Sequence, residues 1–291
     1  MEMYVEPSAS ADSVSIRVLI DNTPSECGTL QSEHGLSLYI EYGECKVLCD
    51  MGYTAGFMAN AERLGIDLSQ VDLGVVTHAH NDHTGGLPDF LDKFSQVEVF
   101  HAEQMFGGRY FSTRRGVKRD LSPDFERLGK WGSRLRSIMG STWLRSGVAL
   151  VDCSGNPSAN LYGNSFLYKE FCNGEIVKDD FRHEMALVFK LSGGLVIVSS
   201  CSHNGVANII RKCCEFTGES SVIAFIGGFH IVDSDYLDDE VSSLVQDVDK
   251  ECRSVRFYTG HCTNPKAFEK LRSECSCFLD LFRTGDLIRI D

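Results

Sequence analysis

Three histidines and one aspartate fall within the six residues His78-Ala79-His80-Asn81-Asp82-His83, and Thr84-Gly85-Gly86 follow. Imidazole and carboxylate together suit zinc, iron or manganese. Residues 71–76 read as a short buried strand ahead of the motif. Histidines at i and i+2 leaving a strand can aim both rings at one metal. Asp82 and His83, one turn further on, can hold a second. The Gly85-Gly86 pair is expected to permit a tight turn. A lone histidine on an apolar face is an ordinary core residue, but this density of ligand types is hard to explain by packing.

Three more histidines, His203, His230 and His261, each follow a short apolar stretch and a small or glycine-rich turn. Strand ends that each deliver a histidine are expected to converge on one mouth. His101 also ends a strand, but nothing around it points to a role.

The first motif has the form H-x-H-x-D-H and resembles the signature of the metallo-β-lactamase superfamily. The likeness extends over Asp21-Asn22, Glu33-His34-Gly35-Leu36-Ser37, Cys49-Asp50-Met51-Gly52, Cys201-Ser202-His203-Asn204-Gly205, Gly227-Gly228-Phe229-His230 and Thr259-Gly260-His261-Cys262-Thr263. Within the superfamily the chain is most similar to the branch of the 7,8-dihydropterin-6-methyl-4-(β-D-ribofuranosyl)-aminobenzene-5′-phosphate synthases. The resemblance weakens between residues 100 and 180.

That resemblance implies an α/β fold: a four-layer αββα sandwich of two mixed β-sheets with helices outside. It implies two divalent metal ions, zinc first, with iron and manganese as alternatives. By the same likeness His78, His80 and His203 hold the first metal, and Asp82, His83 and His261 the second. Asp50 is expected to support the metal histidines through hydrogen bonds. Many members place a metal-bridging aspartate where this chain has Ser200-Cys201-Ser202. Either His203 or Cys201 therefore serves from that loop. His183 is a further alternative, although related sequences more often carry Asp-Glu where this chain has His183-Glu184. His230 stays in the mouth as a non-ligand able to donate to an oxyanion or protonate a leaving oxygen.

The implied function is a metal-dependent hydrolase or transferase acting on a small anionic substrate, a phosphoester or pterin-ribosyl phosphate. Its nucleophile would be a hydroxide activated by two metals and oriented by Asp82. The alternative is a ligand-binding or signalling protein on the same scaffold. A di-iron redox relative is disfavoured, because His80 and His83 are intact. A β-lactamase is disfavoured by the second-half ligands.

The elements that must position these groups are largely readable. Residues 1–13 are polar and expected to be loose, and 14–291 are expected to form one domain, a size that single α/β domains reach. Strands are expected over 14–20, 36–41 and 46–49, and helices over 57–64 and 87–94. A hairpin is expected over 185–191 and 195–199, then a helix over 204–216 and a strand over 221–226. Residues 236–251 place Leu237, Val241, Leu244, Val245 and Val248 on one helical face. A strand over 255–258 precedes a helix capped by Asn264 with Pro265 in its first turn. Short strands are expected within 278–291. Residues 130–180 read mostly as loops and hairpins.

The net charge of −13 disfavours a nucleic-acid partner. Against that acidity, residues 107–130 carry Arg109, Arg114, Arg115, Lys118 and Arg119. Either a mobile lid is expected there, with Arg114 and Arg115 contacting an anionic substrate group, or a solvated loop. The twelve cysteines lack paired C-x2-C spacing. Cys45, Cys49, Cys172, Cys213, Cys214 and Cys252 are expected to behave as small hydrophobes, and all twelve as thiols in a reducing, cytoplasmic setting. No run of about 18 apolar residues is present, so no membrane span is expected.

Overall fold

The computed structural model describes residues 11–155, 161–232, 237–251 and 254–291. The chain opens with β1 (Val14–Ile20), β2 (Ser37–Tyr42) and β3 (Cys45–Cys49). Helix α1 (Gly56–Arg63), β4 (Leu73–Val75), the single-turn α2 (Asn81–Thr84), α3 (Leu87–Lys93) and β5 (Glu98–Ala102) follow. Then come β6 (Arg109–Ser112), β7 (Arg119–Asp120), the short α4 (Phe125–Leu128) and β8 (Leu135–Ile138). Next are β9 (Thr142–Arg145), β10 (Val148–Asp152), β11 (Leu167–Glu170) and β12 (Ile176–Lys178). The second half holds β13 (Met185–Leu191), β14 (Gly194–Val198), α5 (Val206–Thr217) and β15 (Val222–Ile226). It ends with α6 (Leu237–Glu251), β16 (Arg256–Thr259), α7 (Pro265–Glu274), β17 (Phe278–Leu281) and β18 (Leu287–Ile290).

Among the described residues, two seven-stranded sheets have the orders β18-β1-β2-β3-β4-β5-β8 and β17-β16-β15-β14-β13-β10-β9. Each is mixed. In the first, β3, β4, β5 and β8 are parallel; in the second, β14 to β17 are parallel. Inner-face residues Val14, Ile16 and Val18 of β1 pack in one core with Leu187 and Phe189 of β13 and Val196 and Val198 of β14. The outer face of the first sheet buries Phe57 of α1 and Phe90 of α3. That of the second sheet buries Ile209 of α5, Val241 of α6 and Leu271 of α7. The result is the four-layer αββα sandwich of the metallo-β-lactamase fold. Alternation of apolar residues along β1 is what sends one face inward and the other toward α1.

Asn264 caps α7 by accepting the Lys266 N–H, and Pro265 sits in its first turn. The hairpin β13–β14 and the apolar face of α6 form as the periodicity predicts. Tyr236, expected to begin that helix, lies outside the described residues, as do residues 1–10 of the expected loose segment. Ala11 is tied down: its N–H donates to Tyr42 Oη. The 130–180 stretch contains more strand than expected, because β8 and β9 extend the two main sheets.

The basic run is not simply a loop. Its β6 and β7 join β11 and β12 in a four-stranded sheet. Apolar Tyr110 and Phe111 bury there and anchor the charged turn between β6 and β7. Cys275 and Cys277 form a disulfide just beyond α7, where two-residue spacing brings the sulfurs together, so thiols are not universal. Nine other described cysteines are free; Cys172 is exposed rather than packed, because it lies in the turn between β11 and β12. Cys252 lies outside the described residues. No helix among the described residues is long and apolar enough to cross a membrane.

Gly85 and Gly86 serve close approach rather than a special turn conformation, since their φ values are −64° and −83°. A Cβ on Gly85 would stand 2.0 Å from the Tyr53 carbonyl oxygen. Gly85→Ala is therefore expected to cost about 2–3 kcal/mol in urea unfolding, as backbone overpacking does. A loss below ~0.5 kcal/mol would contradict that packing.

Candidate metal centre

The site lies where the carboxyl ends of β4, β14, β15 and β16 meet. After β4, Thr77 to His83 turn into α2. After β14, residues 199–203 form a tight loop, with Ser202 at φ 60°. His230 follows β15 at φ 50°, and His261 follows β16 at φ 52°. Asp50, at the end of β3, has φ 57°. Non-glycine residues in this region are strained. Here the strain is concentrated at the ends of strands that carry ionisable side chains into one mouth.

His78, His80 and His203 are buried and present nitrogens within 4.8 Å of one another. The Nε2 atom of each is buried without a hydrogen-bond partner. Two of the three Nδ1 atoms explain why. Thr77 Oγ1 donates to Asp50 Oδ2 at 2.7 Å, so it accepts from His78 Nδ1–H at 3.0 Å. Asn164 Nδ2 donates to the His203 carbonyl, and its Oδ1 accepts from His203 Nδ1–H at 3.0 Å. Both rings therefore turn a bare Nε2 inward. Burial first, then neighbouring imidazoles, hold His78 and His203 well below the ordinary histidine value and so keep them neutral.

Asp82, His83 and His261 form a second cluster. His83 Nε2 and His261 Nε2 are 3.0 Å apart, and Asp82 Oδ2 lies 3.6 and 3.4 Å from them. Asp50 Oδ2 accepts from His83 Nδ1 at 2.8 Å, leaving His83 Nε2 bare. Asn22 Oδ1 does the same for His261 Nδ1 at 3.1 Å. Two bare nitrogens at 3.0 Å repel unless a proton or cation lies between them. Burial raises the Asp82 carboxyl, but His83, His261 and His34 outweigh it and hold it well below its usual range. Burial opposes charge on His261, yet Asp82, Cys262 and Asp21 push it up to about 9, so without a cation a proton on its Nε2 lies between the two rings, and a bound cation takes that proton's place. The donor sets thus fit divalent cations: buried, convergent, and short of positive charge.

Asp50 knits the clusters together. It accepts from the Thr77 N–H and hydroxyl, from His83, and from Ser200 Oγ at 2.6 Å. Cys201 Sγ lies 3.3 Å from His83 Nε2 and falls in one group with His78 and His83. His183 is committed elsewhere: Nδ1 accepts the Ala79 N–H at 3.1 Å, which leaves Nε2–H to donate to Asp179 Oδ2 at 3.0 Å. It holds the motif's backbone and offers no free nitrogen. The His230 ring lies 4.1 Å from that of His203, with Nδ1 buried and unpartnered. His101 is a core residue donating to the Ala102 carbonyl.

Several participants escape sequence reasoning. Glu184 is buried and accepts the N–H groups of His203 and Asn204, both at 2.7 Å. Asp179 Oδ2 is 3.6 Å from His80 Nε2. Asp21 Oδ1 accepts the His261 N–H at 2.8 Å. A cleft of about 690 Å³ opens beside His203, with Tyr162, Lys178, Phe181 and Asp247 on its walls. Phe181 stacks on His203 at 4.5 Å. Arg114 and Arg115 are not on those walls; they occupy the turn between β6 and β7.

Residues 33–145 match the family model of the metallo-beta-lactamase superfamily. With the fold, this match makes the chain similar to members of that superfamily. It is 26% identical over 96% of its length to a 7,8-dihydropterin-6-methyl-4-(beta-D-ribofuranosyl)-aminobenzene-5′-phosphate synthase of Methanocaldococcus jannaschii, covering 97% of that protein. It is also similar to the crystal structure of Tm1679, a metal-dependent hydrolase of the β-lactamase superfamily. There the TM-score is 0.77 at 26% identity, covering 96% of this chain and 99% of the other. Zinc-bound PqqB from Methylobacterium extorquens shares the fold, with TM-score 0.57 and 9% identity over 95% of this chain and 99% of that one.

Asp50→Ala would strip the acceptor from Thr77, His83 and Ser200 at once. Zinc affinity measured by competition with a chromophoric chelator is expected to fall about 10–100-fold, as for other supporting carboxylates. Unchanged affinity would contradict the role given to this network.

Proposed function

We propose that the chain is a metal-dependent hydrolase or transferase for a small phosphoester, with a pterin-ribosyl phosphate as the leading substrate class. The observation that carries this reading is the convergence of bare, buried nitrogens in two adjacent clusters beside an open cleft. The synthase of Methanocaldococcus jannaschii to which the chain is similar supplies the pterin and ribosyl phosphate.

His78, His80 and His203 would hold one divalent cation, and Asp82, His83 and His261 the other, zinc first among candidates. When bound, such cations supply Lewis acidity and make hydroxide available near neutral pH. Asp82 Oδ2, between His83, His261 and His34, orients the reacting oxygen by accepting its hydrogen bond. His230, beside His203, hydrogen-bonds the leaving oxygen. The cleft walls carry Asp239 and Asp247 as well as Lys178, so the neutral or donor-bearing part of a substrate belongs in the cleft. Its phosphate belongs at the clusters, where bound cations reverse the local sign.

Protein purified without chelator is expected to carry about two metal equivalents by elemental mass spectrometry. Asp82→Ala and His261→Ala should each fall to about one, and lose phosphoester turnover by at least about a hundredfold. Failure to bind metal even after reloading would refute the reading. Full loading with substrate binding but no turnover would instead favour a ligand-binding protein on this scaffold.

A further inference from the structure

Asn22 lies just after β1 and touches two histidines. Its side-chain orientation is fixed by groups that have no choice of role. Oδ1 accepts the Gly35 N–H at 3.1 Å, and Nδ2 donates to the His261 carbonyl at 3.1 Å. With the amide so fixed, the two imidazoles must take opposite tautomers. His261 Nδ1, 3.1 Å from Oδ1, must carry a proton, which leaves Nε2 as the nitrogen available to the second cluster. His34 Nδ1, 3.1 Å from Nδ2, must accept, which puts the proton on Nε2. That Nε2 lies 3.5 Å from Asp82 Oδ2.

By distance alone, His34, Asp82 and His261 would pass as a ligand triad. The tautomers separate them. We infer that Asn22 assigns His261 to the second cation and reserves the His34 Nε2–H as a donor for an anionic oxygen of the bound ligand. This rests on reading Asp82, His83 and His261 as a cation site.

The surroundings of His34 fit a ligand contact. Its side chain is 71% exposed, so packing does not explain its placement. Its backbone is nevertheless pinned on both sides. Glu33 accepts from the N–H groups of Tyr53 and Thr54, both at 2.9 Å, and from Thr54 Oγ1 at 2.6 Å. Gly35 leaves no room for a Cβ, which would meet Tyr53 N at 2.7 Å and the Asp82 carbonyl at 2.8 Å. The ring lies over His261, centroids 5.7 Å apart and planes 17° apart. An exposed ring on an immobile support holds its Nε2–H at the open edge of the second cluster.

The test uses zinc-loaded full-length protein with inorganic phosphate as the probe. Long-range nitrogen–proton NMR of the imidazoles should show His34 protonated at Nε2, and Asn22→Asp should move that proton to Nδ1. In titration calorimetry, His34→Ala should weaken phosphate binding about tenfold while keeping the full zinc content. His34→Gln, whose amide places N–H near the position of Nε2, should recover most of that affinity. Loss of one zinc in His34→Ala, an Nδ1–H tautomer in the wild type, or phosphate affinity unchanged within about twofold would each overturn the inference. Retention of full zinc in His261→Ala would overturn the cation-site reading and this inference with it.

Discussion

His83 Nε2 faces His261 Nε2 across 3.0 Å, and each ring's other nitrogen is already spent on a hydrogen bond. That contact joins a residue of the first half to one 178 positions later. It holds only if something positive sits between the rings. Both sheets contribute to the constraint. The first brings Asp50 and the histidine motif from the ends of β3 and β4, and the second brings His203, His230 and His261 from the ends of β14, β15 and β16. Ligands commonly bind at the carboxyl ends of parallel strands, and the parallel runs of both sheets place such ends here. The apolar sandwich core supplies the rigidity that keeps unsatisfied nitrogens from rearranging.

Around this contact the supporting shell does the sorting. Asp50, Thr77 and Asn164 each accept one hydrogen bond from an imidazole, and Asn22 accepts from one and donates to another, and so they decide which nitrogen faces inward. Glu184 fixes the backbone that carries His203, and Asp21 the backbone that carries His261. His183 shows the same logic in reverse. It sits among the others, yet both its nitrogens are occupied, and it acts on the Ala79 backbone and Asp179.

Much of this was legible in the sequence, for local reasons. The strand-end histidines stand out because a two-residue periodicity stops at a ligand type, and Asp50 because it ends β3. The four layers follow from the resemblance and from amphipathic stretches such as α6. What could not be read depends on contacts across the chain. Asn22 meets His261 at a separation of 239 residues, and Glu184 meets His203 only once the β13–β14 hairpin has folded back. Gly85 suggested a turn, but its constraint is a distant carbonyl. The basic run suggested a lid, but Tyr110 and Phe111 draw part of it into a small sheet. His34 carried no chemical signal, because its tautomer is set by an amide twelve residues away.

The most direct measurement is anomalous diffraction at the zinc edge from crystals of the zinc-loaded protein. The account predicts two peaks. One would touch Nε2 of His78, His80 and His203, and the other Asp82 Oδ2 with Nε2 of His83 and His261. A peak bonded to His34 Nε2, or no peak between His83 and His261, would contradict it.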